Sequence, residues 1–386
     1  MPTVVQGTRT TENQNTETRR KRDVFPTMLK LEPEAAPLTV LMGKTRKRVA
    51  TDPKFEWFEL ERLPKQDVLA AAVLVGDAQF TSTNYKYFRA GDIVQFIETG
   101  EQVLVTATPA AAAVAITRAW GEVAAAAVTN GTKVRIVGNA SEEDALGRDV
   151  ISVQRAPKFN YCGILREPFS ISNTAKGTDV FAGADFEEDA VEAMMKHRID
   201  LEDMFLQGQR YEDVTGTEPR RSTRGIVRWI STLVVSVGGD LTEVVLDAFL
   251  RRLFRYGTKA KVLLCAPIVT QAISGFAKSK LRPSDVMMKT YGMALTEYIS
   301  PFGKVILANH NLMTNDSLQD FDGLAGYAIG VDLGNVEMRH MKGRITVRNE
   351  NIQANDRDGR RDEFLSEAGL QVGLEKTHGV MTGITG

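Results

Sequence analysis

The sequence predicts an α+β protein built in several parts, and three stretches carry that prediction. Residues 185–208 read as one long amphipathic helix, residues 54–170 as a series of short strands, and the chain from Leu241 through the segment that Pro267 opens as helix, short buried strand, helix. With 386 residues, of which 43% are apolar, the chain can bury a core in each of two or three domains.

The long helix has both ends written into it. Asp185 stands at a capping position, Glu188 completes a capping box three residues on, and Gly208 is a permissive residue at the other end. Val191, Met194, Leu201 and Phe205 recur at helical spacing with Arg198 among them, which predicts that Glu187, Glu188, Glu192, Lys196 and Glu202 stay in water. At 1.5 Å per residue the helix is roughly 35 Å long, the width of a small domain, so the rest of the chain is expected to be arranged around it.

Ahead of the helix, residues 1–24 are polar and cannot offset the entropy of ordering by themselves. From Val24 to about Pro53 spaced apolar residues mix with Pro26, Pro33 and Pro37, which predicts an extended arm rather than a helix. Its apolar residues, Phe25, Met28, Leu29, Leu31, Leu38, Val40 and Leu41, have too little neighbouring chain to cover them, so another domain or another subunit must do so. Within 54–170, residues 68–140 hold short strands punctuated by Gly76, Gly91, Gly100 and Asn130-Gly131, the last a hairpin signal. This predicts a small antiparallel sheet or barrel, with the alanine-rich runs 109–113 and 123–127 undecided between helix and strand.

After the helix, a basic loop holds Arg220, Arg221 and Arg224. Leu241–Tyr256 has Val244, Val245, Ala248, Phe249 and Leu253 or Phe254 on one helical face, Lys261–Ala266 reads as a buried strand, and Pro267 opens another helix at its favoured first position. The remaining chain alternates as strands, with a charged loop at 355–363.

Formal charge is −1, yet residues 1–50 carry ten Lys and Arg against five Asp and Glu, clustered at Arg19, Arg20, Lys21, Arg22 and at Lys44, Arg46, Lys47, Arg48. Such a run is a solvated tail or an arm that meets an acidic surface or nucleic acid. Two separated cysteines, Cys162 and Cys265, argue against a disulfide framework and a cysteine zinc site. Without an apolar leader or a run of about 18 apolar residues, the expectation is a reducing cytoplasm and no membrane.

Motifs for chemistry are incomplete. Gly43-Lys44-Thr45 lacks the glycine that a phosphate loop wants five residues earlier, where Leu38 stands. Asp356-x-Asp358-Gly359 is half of a calcium loop, with Ala354 and Leu365 at two ligand positions. His197, His310, His340 and His378 never fall at ligand spacing. The residues therefore imply no catalytic, cofactor or metal site, and the uncovered arm points to assembly.

The order of parts resembles the major capsid proteins of tailed bacteriophages with the Hong Kong 97 type fold, most closely the major head protein family typified by phage SU-ten. The resemblance covers roughly residues 50–386 and rests on FEWFELERL and PKFNYCGILREPFSIS flanking the excursion, FEEDAVEAMMKHRIDLEDMFLQG, PRRSTRGIVRWI, YGMALTEYISPFGKVILANHNLM and the ending GLQVGLEKTHGVMTGI. It implies an amino-terminal arm at 1–53, an extended loop at 54–170 carrying the inserted β unit, a peripheral domain at 171–238 and 338–386 with the spine helix, and an axial domain at 239–337. It also implies self-assembly into hexamers and pentamers of a virion shell enclosing double-stranded DNA, with weak non-specific DNA contact and scaffolding, portal and decoration proteins as further partners, formed in the host bacterial cytoplasm. Candidate inter-subunit contacts are Arg19, Arg20, Lys21, Arg22, Phe25, Met28, Leu29, Leu31, Arg46, Lys47, Arg48, Arg220, Arg221 and Arg224. An encapsulin-like nanocompartment shell and a soluble multidomain enzyme are the alternatives.

Overall fold

A computed structural model describes residues 37–45, 47–144, 147–178, 185–276, 281–283, 295–316 and 320–385. The expectations for residues 1–36 and for Arg46 lie outside them.

In chain order the elements are α1 (Pro37–Thr45), β1 (Lys47–Ala50), β2 (Lys54–Glu59), β3 (Gln66–Val68), β4 (Gln79–Thr81), β5 (Asp92–Phe96), β6 (Gln102–Val105), β7 (Ala113–Thr117) and β8 (Lys133–Asn139). The chain continues through β9 (Ala156–Tyr161), β10 (Gly163–Ser172), α2 (Asn173–Lys176), α3 (Asp185–Gln207), β11 (Tyr211–Asp213), β12 (Arg220–Ser222), α4 (Ile226–Trp229) and β13 (Val234–Gly239). It ends with α5 (Glu243–Leu253), β14 (Ala260–Cys265), α6 (Pro267–Phe276), β15 (Leu281–Pro283), β16 (Leu295–Ser300), β17 (Gly303–Asn309), β18 (Ala328–Val331), β19 (Val336–Met341), β20 (Val347–Asn349), β21 (Gly359–Val372) and β22 (Gly379–Ile384). Contacts divide the chain into two units, one of residues 1–57 and 159–386 and one of residues 58–158.

The larger unit is built on two sheets. One runs β1-β19-β21-β10, with β20 also on β21; β1 lies parallel to β19 and the other pairs are antiparallel. The other runs β13-β22-β18-β14-β17-β16-β15, with β13/β22 and β14/β17 parallel. The strand β14 is buried almost throughout because neighbours flank it on both sides and helices cover it, as its apolar run anticipates. The helix α5 buries Leu246, Phe249, Leu250 and Leu253 and is capped by Thr242, which accepts from the Val245 N–H. Its buried face differs from the expected one: Phe249 and Leu253 are buried, but Val244, 79% exposed, and Ala248 face solvent, and Leu246 and Leu250 take their place. The buried Lys261 ammonium donates to the Leu253, Tyr256 and Thr377 carbonyls, tying the end of α5 to the turn before β22.

The smaller unit holds a six-stranded antiparallel sheet in the order β3-β8-β5-β6-β7-β4. A bridge from Leu69 to Ser82 joins its two ends, so the sheet closes as a small barrel. Alternate residues fill the interior, among them Val94, Phe96, Val103, Val105, Val114 and Ile116. Asn130-Gly131 does make a turn, with Gly131 at φ +83°, but not a hairpin. Val128 bridges Val73 and β8 pairs β3, so both sides of the turn lie along the same segment, 66–73. The alanine-rich runs belong to loops apart from Ala113, which begins β7. The second run is held by buried Glu101, which accepts from the Arg118 guanidinium and the Ala119 and Ala126 N–H groups.

Candidate assembly surface

The spine of the larger unit is α3, which covers 23 residues from Asp185 to Gln207. Its buried stripe is Phe186, Ala190, Ala193, His197, Leu201 and Phe205, spaced three and four apart, while Val191 is 50% exposed. The expected stripe holds at Leu201 and Phe205, but in the first half of the helix Ala190 and Ala193 are buried where Val191 and Met194 were expected. Sequence reasoning favoured the larger side chains, whereas Ala190 and Ala193 let the helix approach Phe169 and Phe364 of the sheet closely, with its own Phe186 packed on them. His197 faces the sheet and bonds the Ser366 hydroxyl at 2.7 Å, and burial lowers its pKa below the usual histidine value. Gly208 ends the helix through close approach rather than a left-handed turn, because a Cβ there would meet the Thr223 carbonyl oxygen at 2.6 Å.

The larger correction concerns Glu202, expected in water and found fully buried. Its carboxylate accepts from the Leu38 N–H at 2.7 Å, the Thr39 N–H at 2.6 Å and the Thr39 hydroxyl. The imidazole Nε2 of buried His310, just past β17, lies 3.2 Å from the same carboxylate. Glu202 is therefore the cap of α1, supplied from 164 residues away. This explains why 37–45 is helical where an extended arm was expected. Pro37 occupies the first helical position, where a missing N–H costs nothing, and the N–H groups behind it find their acceptor on α3. Gly43, Lys44 and Thr45 form the last turn of that helix rather than a phosphate loop.

The basic candidates that fall among the described residues are placed separately. Lys47 and Arg48 are exposed on β1, which among the described residues pairs with β19 alone and so leaves its other side as a sheet edge there. Arg220 is exposed on β12, and Arg221 beside it pairs with Glu212 at 2.7 Å across the β11/β12 hairpin. Arg224 stacks on Trp229 at 4.6 Å and donates to the Arg228 carbonyl. Arg19, Arg20, Lys21, Arg22, Phe25, Met28, Leu29, Leu31 and Arg46 lie outside the described residues.

The charged loop expected near 355–363 leads into a ladder of buried carboxylates on β21, each paired with a partly exposed arginine. Asp362 accepts from Arg348 and Arg360, each at 2.9 Å, Glu363 pairs with Arg166 at 2.7 Å, and Glu367 with Arg344. Burial alone would raise the Asp362 pKa, but the Arg360, Asn351 and Arg348 donors outweigh it and hold the group below the usual carboxylate value. Among the described residues no group of three or more His, Cys, Asp or Glu could hold a metal ion. Cys162 and Cys265 are buried free thiols, both pushed up to about 12 by burial, and so are poor nucleophiles. No helix among the described residues is long and apolar enough to cross a membrane.

A spine helix on a sheet, a second mixed sheet beside it and a separate barrel in the excursion define a class, the shell-forming subunits of Hong Kong 97 type. The capsid asymmetric unit of cyanophage A-1(L) has this fold, with 10% identity and a TM-score of 0.50 over 95% of this chain and 97% of that one. The chain belongs to the SU10 major capsid protein family, whose sequence profile matches residues 4–385. The major capsid protein of Pseudomonas phage PaMx41 is 23% identical over 325 residues, 80% of this chain and 74% of that one. The capsid of Myoviridae phage XM1 is 10% identical, with a TM-score of 0.48 over 97% of this chain and 100% of that one. The chain is thus a phage major capsid protein, a structural subunit of the virion, and the family match favours this reading over a nanocompartment shell.

Proposed function

We propose that copies of this chain close into a shell of hexamers and pentamers around double-stranded DNA, assembled in the cytoplasm of a host bacterium and with no catalytic step of its own. The observation that carries this reading is the family match across nearly the whole chain. Contacts repeated by symmetry accumulate, so modest individual interfaces suffice for a stable shell. In this reading 1–53 is the arm, 54–170 the extended loop with its inserted barrel, 171–238 and 338–386 the peripheral domain, and 239–337 the axial domain. Within 338–386 the strand β22 is the exception and goes with the axial domain, because it pairs with β18 there. Arg19, Arg20, Lys21, Arg22, Lys47, Arg48 and Arg220 contact acidic surfaces of neighbouring copies, and DNA contact is weak and sequence-independent, since a chain of net charge −1 offers no large basic footprint.

The test is the size of purified full-length protein by light scattering and negative-stain imaging, beside a chain lacking 1–36 and a Lys47→Glu/Arg48→Glu/Arg220→Glu variant. Closed shells tens of nanometres across, lost or misformed in the two variants, are the expected result. A monomer or dimer at every concentration and salt, even with co-expressed scaffold, would sink the proposal.

A further inference from the structure

The edges of the two large sheets are not alike. Among the described residues the first sheet is bounded by β1, β20 and β10, and the second by β13 and β15. An open strand edge pairs with any strand that reaches it, and charges or proline on the edge prevent that. Lys47 and Arg48 stand on β1, Arg348 on β20, Arg166, Glu167 and Pro168 on β10, and Arg282 and Pro283 on β15. The strand β13 carries neither device, and no charged residue occurs anywhere from Trp229 to Gly239. We infer that β13 is an edge through which two copies of this chain join, the β13 of one lying antiparallel to the β13 of the other, so that the seven-stranded sheet continues from copy to copy.

The backbone decides which groups are available. In the parallel β13/β22 ladder Val234 lies beside Val380, Val235 beside Met381 and Ser236 beside Thr382, and the Val380 N–H donates to the Leu233 carbonyl at 2.9 Å. Along a parallel ladder every second residue turns both its N–H and its C=O to the partner. Leu233, Val235 and Val237 therefore bond β22, and Val234 and Ser236 turn their backbone groups away from it. Among the described residues no hydrogen bond reaches those outward groups.

The register follows from them. A two-fold axis sets a strand antiparallel to its own copy. Every outward residue is used when Val234 lies opposite Ser236 of the second copy and Ser236 opposite Val234. The two Val235 residues then meet across the axis as a non-hydrogen-bonded pair, about 4.5 Å apart at Cα. Val235 is half-buried and packed on the core, so this pair joins the cores of the two copies on one face of the continued sheet. On the other face Val234, 48% exposed, lies beside Ser236. Self-pairing here brings no like charges together, whereas the same geometry at β1 would bring Lys47 and Arg48 near their own copies. Gly238 at φ +66° and the register shift between Ser236 and Gly239 end the regular strand and confine the pairing to this short segment. The inference deepens the shell reading and rests on it for the presence of a second copy; a shell of closed symmetry supplies two-fold contacts, and a short ladder repeated in it accumulates.

The test is full-length Val235→Cys under mild oxidation, beside full-length Val237→Cys. Both positions are half-buried on the same face of β13, and the buried thiols Cys162 and Cys265 stay out of the reaction. The expected result is a disulfide-linked dimer at Val235→Cys on a non-reducing gel, with the link located by peptide mass. None is expected at Val237→Cys, whose two copies stand about 13 Å apart in this register, beyond the reach of a disulfide. Absence of the dimer at Val235→Cys, or equal dimer in both variants, overturns the inference whether or not particles form. Light scattering of the same samples reads the shell separately: particles without the link sink only this inference, and the link without particles sinks only the shell reading. As a second readout, Val234→Lys/Ser236→Lys places charges at two exposed positions of the edge and should abolish closed particles while leaving the circular dichroism spectrum unchanged. Particles of parental size and yield in that variant would equally overturn the pairing, and the disulfide result decides alone if the variant does not fold.

Discussion

Glu202 shows how much one residue can decide. A carboxylate on a helix surface normally faces water, and here it serves as the acceptor for the first turn of another helix, where the positive end of the helix dipole also favours it. Replacing it by glutamine keeps the shape but sets an amide donor against N–H groups, so Glu202→Gln should lower stability by about 2 kcal/mol. Hydrogen exchange at Leu38 and Thr39 should accelerate before the core opens; unchanged exchange there would refute the latch. His378 makes a second residue-scale case. Its Nδ1 accepts the Asp332 N–H and its Nε2–H donates to the Gly373 carbonyl, an arrangement only the neutral ring can make, and burial lowers its pKa from 6.5 to about 4. The unfolded chain therefore binds the extra proton first as pH falls, so this contribution is full above pH 6.5 and is lost between 6.5 and about 4. A His378→Gln variant should melt lower than the parent at pH 7.5 and show a smaller fall in melting temperature across that window. Parallel curves for the two proteins would refute the assignment.

At the scale of elements, α3 is set by what it lies on. Ala190 and Ala193 face the sheet, where Phe169 and Phe364 together with the helix's own Phe186 already fill the space, and Arg348 and Arg360 lie over the Phe186 ring. Ala193→Leu adds volume with nowhere to go and should cost about 1–3 kcal/mol, measured by chemical denaturation. The corresponding Val191→Leu change on the open side should fall within about 0.5 kcal/mol of the parent. Equal effects at the two positions would mean that the buried face is misplaced. Helix existence and extent were legible from the helical spacing and from Gly208, but the buried face of its first half was not, because hydrophobic size alone ranks Val191 above Ala193. The short helix α1 was illegible for a different reason: Ala36 offers no cap, and the true cap lies far along the chain.

At the scale of the whole molecule, the 58–158 unit carries its own apolar interior and closed sheet. Expressed alone, it should unfold in one cooperative transition and show dispersed amide resonances; a chain that melts without a transition would show that it depends on the rest. Its buried Glu101–Arg118 pair, joined by two backbone donors, is the kind of polar node that specifies one loop path rather than adding much stability.

By itself the sequence determined the α+β class, the long helix between Asp185 and Gly208, the short-stranded excursion and the family resemblance. These depend on local spacing, capping and turn residues, which act over a few positions. Only the tertiary structure decided that Glu202 and Asp362 are buried, that β22 joins the sheet of β14, that Asn130-Gly131 is not a hairpin, and that the barrel closes through Leu69 and Ser82. Each depends on a partner far away in sequence, and a buried charge or an edge strand is specified by that partner and not by its neighbours along the chain.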